Sequence, residues 1–94
     1  MLTATSSFET DKASGYLQQM CKHFGHKVEV SFDETKGQVT FSIGVAEFTA
    51  QQGRLVFEVR AETAEMLEQA KGTIESHIVR FAFREKLLGL DWSK

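Results

Sequence analysis

Apolar and polar residues alternate along most of this chain, and in two stretches the alternation gives way to spacings of three and four. The longer stretch runs from Ala64 to Arg84. There Leu67, Ala70, Ile74, Ile78 and Phe81 mark one face of an α-helix. Val79, Phe81 and Phe83 also alternate with polar residues. The stripe from Leu67 stays in phase through Phe81, however, so the stretch reads as helix to its end. The shorter stretch spans about Lys12 to Phe24, with Ala13, Tyr16, Leu17, Met20 and Phe24 on one side and Cys21 at the edge. Thr10 or Asp11 can cap it, and Gly25 stands where a left-handed residue would end it. Thr63 can cap the longer helix, with Glu62, Glu65 and Glu68 near its positive end.

Everywhere else the period is two. Leu2, Ala4, Ser6 and Phe8 alternate with Thr3, Thr5 and Ser7, a first strand. Val28, Val30 and Phe32 open a second, and Asp33 to Gly37 is turn chemistry. Val39, Phe41 and Ile43, then Ala46, Phe48 and Ala50, then Leu55, Phe57, Val59 and Ala61 continue the pattern, broken at Gly44 and at Gln51-Gln52-Gly53. Leu88, Leu90 and Trp92 read as a last strand able to pair with the first. Period-two runs joined by short turns predict an antiparallel meander with one buried face. Two amphipathic helices can cover that face. The expected fold class is α+β: a two-layer sandwich with four to six strands and both helices on one side of the sheet. Glu29, Thr40, Glu47, Glu58 and Arg60 fall on the opposite, wet face.

Composition narrows the picture. With 94 residues, 41% hydrophobic and 26% charged, the chain suits a single domain over 1–94. A formal charge of −2 gives no basic excess for nucleic acid. No run approaches the roughly 20 apolar residues of a membrane span, and no secretory signal opens the chain. Cys21 is the sole cysteine, which excludes an internal disulfide and a CxxC zinc site. The expected location is the cytoplasm. No cofactor is evident.

Three stretches together carry a resemblance. They are Tyr16 to Lys27, with its His-Phe-Gly-His-Lys end, the corner Phe41-Ser42-Ile43-Gly44, and Ser76 to Glu85 followed by Trp92. In order and spacing they resemble the small bacterial proteins of domain of unknown function 2218. The resemblance covers nearly the whole chain. It carries no activity of its own. It implies a link to iron handling, since some members adjoin flavin reductases acting on ferric siderophores. Lys86 departs from the proline that members often carry at that point, which leaves the stop of the long helix less sharply marked.

The candidate chemistry lies along the flanks of the two helices. His23 and His77 each border an apolar stripe. Helices lying side by side would bring the two imidazoles together, where they can bind an anion when charged or a metal when neutral. The plainer reading is two half-buried histidines, each bonded to a carbonyl or a carboxylate. Cys21 does not join them, because residues two apart lie 200° around a helix. His77, Arg80 and Arg84 form a row, and with Lys22, His23, His26 and Lys27 they would make a site for an anionic small molecule or a ferric complex. The same cations also suit a helix C-terminus. Val79, Phe83, Leu87 and Leu88 form a candidate apolar interface for a homodimer, unless the C-terminal segment covers them. Ser76 beside His77 is no nucleophile–base pair, since neighbours on a helix point about 100° apart. Glu47 and Glu58 look solvated. The leading expectation is a binding or accessory domain using His23, His26, His77, Arg80 and Arg84. A self-associating module comes second, and a histidine-dependent enzyme last.

Overall fold

The computed structural model describes every residue except Lys86, Leu88, Ser93 and Lys94. Five strands form one antiparallel sheet: β1 (Leu2–Glu9), β2 (Glu29–Phe32), β3 (Lys36–Phe41), β4 (Gly44–Gln51) and β5 (Arg54–Ala61). Their order is β1-β5-β4-β3-β2, so β1 and β2 are the edges. The helices are α1 (Ala13–Phe24) and α2 (Ala64–Phe81), followed by a single 3₁₀ turn at Phe83–Glu85. The helices touch each other, α1 lying over β2 to β5 and α2 over β1, β5 and β4. The two-layer α+β arrangement is thus as the periodicities predict.

The register explains the alternation. Val39, Ala46, Val59 and Ala4 line up across four strands, and Gly37, Phe48, Phe57 and Ser6 form the next row but one. Both rows are buried beneath the helices. Leu17, Met20 and Cys21 from α1, and Ala70, Ile74 and Ile78 from α2, fill the space above them. Between these rows lies Thr5, Glu58, Glu47 and Gln38, on the face away from the helices. Glu47 stands directly opposite Glu58, a like-charge pair that would repel. Arg60 reaches both, 2.6 Å from Glu47 and 2.5 Å from Glu58. These carboxylates are paired rather than merely solvated, because one guanidinium can bond two acceptors at once.

Glycine matters at the close contacts. At Gly44 a Cβ would sit 2.3 Å from the Arg60 carbonyl oxygen, so the backbones of β4 and β5 can approach only without a side chain. Gly53 ends the two-residue turn between β4 and β5 with φ +76, a conformation that favours glycine. Gly37 lies inside β3 rather than in the preceding turn. That turn is instead built by Asp33, whose carboxylate accepts from the Thr35 and Lys36 N–H groups.

Several local expectations are corrected. Thr63 caps α2 as expected, its hydroxyl accepting from Met66 N–H. Neither Thr10 nor Asp11 caps α1, whose N-cap is Lys12 without a side-chain bond. The Thr10 hydroxyl accepts from Lys12 N–H and donates instead to Glu85, 75 residues away. Gly25 is right-handed, with φ −61. Its N–H continues the helical pattern to the Cys21 carbonyl. The long helix stops at Phe81, not at Arg84, and the chain tightens into the 3₁₀ turn once Ala82 meets the core.

Among the described residues the expected last strand is not formed. Residues 89–92 run without regular structure, and Leu88 lies outside the described residues. An alternating pattern also suits an irregular tail with one side turned inward. Leu87, Leu90 and Trp92 pack against the core in that way. The Trp92 indole N–H donates to Glu75 of α2 at 2.8 Å.

Candidate functional site: the seam between the helices

The apolar stripes of α1 and α2 both face the sheet, so the residues flanking them meet above it. His23 lies one residue before the end of α1. Its ring centre is 4.8 Å from that of His77 on α2. Phe24 lies 4.8 Å from His77 and 5.2 Å from Phe41 of β3, and Phe81 lies 5.5 Å from His23. The two imidazoles therefore rest on an aromatic floor that continues into the core. His23 is exposed and His77 half-buried.

The floor orients His77. Its Nδ1 lies 2.6 Å from the Thr73 carbonyl oxygen one turn earlier. A carbonyl only accepts, so Nδ1 carries the proton and donates. In the neutral ring, Nε2 then keeps its lone pair on the far side. Ser76 Oγ is 3.5 Å from the same Nδ1 but donates to the Thr73 carbonyl at 3.1 Å. An Nδ1 that is already a donor cannot take the Ser76 proton, so the pair has no nucleophile–base character.

The charged groups that act on His23 are all basic. His23 is held below its usual value, first by desolvation against neighbouring rings, then by the charges of His77, Lys27, His26 and Arg80. Among the described residues the ion pairs involve only Arg60, Lys71 and their acids. Lys22, Lys27 and Arg80 thus have no carboxylate partner there.

Four of the five expected ligand residues share this region: His23, His26, His77 and Arg80. Arg84 does not continue the row, because the helix has ended before it. It lies 5.7 Å over the Phe83 ring. There it influences Tyr16, whose hydroxyl is pushed up to about 12 by burial, then by hydrogen bonding to Glu85. Cys21 stays apart, fully buried, its thiol raised to about 11 by burial. Of the expected interface, Phe83 is 66% exposed while Leu87 packs inward. Val79 and Trp92 border a groove of about 370 Å³ beside α2.

Half-buried His77 on a carbonyl is as the plainer reading expected, but sequence reasoning did not identify that carbonyl as Thr73, nor find the Phe24–Phe41 contact that closes the floor. The first had a signal, the four-residue spacing. The second depends on which strand lies beneath the end of α1.

With this geometry in view, a family comparison is decisive: the profile described as "Uncharacterized protein conserved in bacteria (DUF2218)" matches residues 5–93. The chain belongs to the DUF2218 family. The solved NMR structure of PA4090 from Pseudomonas aeruginosa is similar to this DUF2218 chain, with TM-score 0.83 and 27% identity over 99% of this chain and 96% of that one. No curated protein matches the chain. Among the described residues, no helix is long and apolar enough to cross a membrane.

Proposed function

We propose that this DUF2218 domain is a binding or accessory module that takes an anionic small molecule at the seam of α1 and α2. One observation carries the reading. His23 and His77 stand ring to ring, with His26, Lys27 and Arg80 close enough to oppose a proton on His23. Like charges gathered without counter-charges leave that role open to a ligand. A carboxylate or phosphate would relieve the repulsion and accept charge-assisted hydrogen bonds from Arg80 and the imidazoles. A ferric chelate with outward carboxylates falls in the same chemical class and fits the iron-handling context that the family resemblance implies.

The test is a titration of phosphate, citrate and ferric citrate at low ionic strength, followed through the histidine ring signals by NMR. Saturable shifts at His23 and His77 are expected with at least one of them. Arg80→Gln should weaken that binding by about tenfold or more, the worth of one hydrogen bond to a charged group. Shifts that never saturate, or that are unchanged in Arg80→Gln, would contradict the proposal.

Phe83 supports a second reading. A phenylalanine 66% exposed just past a helix end is a ready contact for another copy. Light scattering at millimolar concentration tests it: a dimer that Phe83→Asp dissociates supports self-association, and a monomeric wild type rules it out.

A further inference from the structure

We infer that His23 and His77 form a two-histidine site for a divalent metal ion of the zinc, copper and nickel class, whose remaining positions are filled by the anionic ligand. This rests on the anion-binding reading and names the form in which the anion is held. Three observations carry it.

The first is the orientation of His77. Histidines that bind metals almost always give their other ring N–H to a carboxylate, carbonyl or water, which fixes the ring and the tautomer. The Thr73 carbonyl does this for Nδ1 at 2.6 Å. Nε2 is then the free donor atom.

The second is the spacing. With a metal–nitrogen bond of about 2.0–2.1 Å and about 1.1 Å more to the ring centre, two imidazoles on one tetrahedral ion put their centres about 5 Å apart. The observed separation is 4.8 Å. The rings are tilted 50° to each other, so they are not stacked face to face.

The third is the company. Among the described residues no group of three or more histidine, cysteine or acidic side chains is placed to hold a metal. An ion held by His23 and His77 would therefore keep positions open, unlike one in a closed structural zinc site. Lys27 and Arg80 repel a bare dication, but they favour one that arrives with, or acquires, a carboxylate or phosphate.

The experiment uses the full chain with zinc chloride, and cobalt chloride as a visible probe, each with and without citrate. One equivalent of zinc should move the His23 and His77 ring nitrogen signals together. His23→Gln and His77→Gln should each weaken binding about tenfold or more, in keeping with the sensitivity of metal sites to their supporting groups. Citrate should tighten zinc binding in the wild type, and Arg80→Gln should reduce that coupling, which must be reciprocal. Zinc binding unchanged in His77→Gln would overturn the inference by pointing to a chance chelate between His23 and His26 at the exposed end of α1. If citrate binds and zinc does not, the metal site falls and the anion reading stands. If zinc binds but no anion does at any zinc level, the anion reading falls, and with it the role of the open positions.

Discussion

Gly37 shows how tightly single side chains are fitted here. A Cβ on it would lie 2.6 Å from Cys21 Sγ, 3.2 Å from Leu17 Cδ2 and 3.3 Å from Phe32 Cβ. α1 thus rests directly on the backbone of β3. Gly37→Ala overpacks that contact and should cost about 1–3 kcal/mol in denaturant unfolding. Cys21→Ala removes the sulfur it strikes. The double variant should therefore be more stable than the sum of the single effects predicts, by about 0.5 kcal/mol or more. Strict additivity would mean that the strain is relieved elsewhere. The burial of Cys21 was legible in the sequence, because its position borders the helical stripe. The role of Gly37 was not: beside Asp33-Glu34-Thr35-Lys36 it reads as the end of a turn. Only the placement of α1 over β3 shows why a side chain is excluded.

At the scale of elements, the β4–β5 ladder carries a like-charge problem and its solution. Glu47 and Glu58 face each other, and Arg60 bonds both. All three side chains are part-exposed, so each ion pair contributes at most about 1 kcal/mol. Replacing the bridge leaves the two carboxylates in direct opposition, which adds a cost of its own. Arg60→Met should destabilise the fold by about 1–2 kcal/mol at neutral pH and low salt. Much of that loss should return in 1 M salt, where screening acts within a few ångströms. A salt-independent loss would point to packing rather than charge.

Elements were legible wherever periodicity and burial agreed, as in α1, the meander strands and most of α2. They were misread where local chemistry lost to distant partners. Thr10 has the right type and place for an N-cap, yet its hydroxyl is engaged by Glu85 from the far end of the chain. Leu90 and Trp92 keep a strand-like alternation, but Glu75 takes the Trp92 indole and the segment lies against the core without joining the sheet. No pattern confined to ten or fifteen residues contains either contact.

For the molecule as a whole, the two layers decide where charge collects. The helices lie side by side on one sheet face, so the C-terminal end of α1 meets the C-terminal half of α2. The result is His23, His26, Lys27, His77 and Arg80 in one region, while Glu62, Glu65 and Glu68 mark the other end of α2. The meeting of His23 and His77 was legible because each flanks an apolar stripe. Its detail was not, because the aromatic floor is assembled from α1, β3 and α2 together.

This arrangement has a definite pH signature. The folded His23 titrates below 6.5, so the unfolded chain takes up that proton first. Its contribution to stability is fully present above the unfolded value, declines as pH falls from about 6.5, and levels off below the folded value. The most direct check is a histidine-selective NMR pH titration of wild type, His77→Gln and Arg80→Gln at low salt, each repeated with the anion that binds best. The seam described here predicts a depressed His23 in the wild type, moved upward by either substitution and upward again by the anion. A His23 that titrates at its ordinary value and responds to neither His77→Gln nor any anion would contradict it.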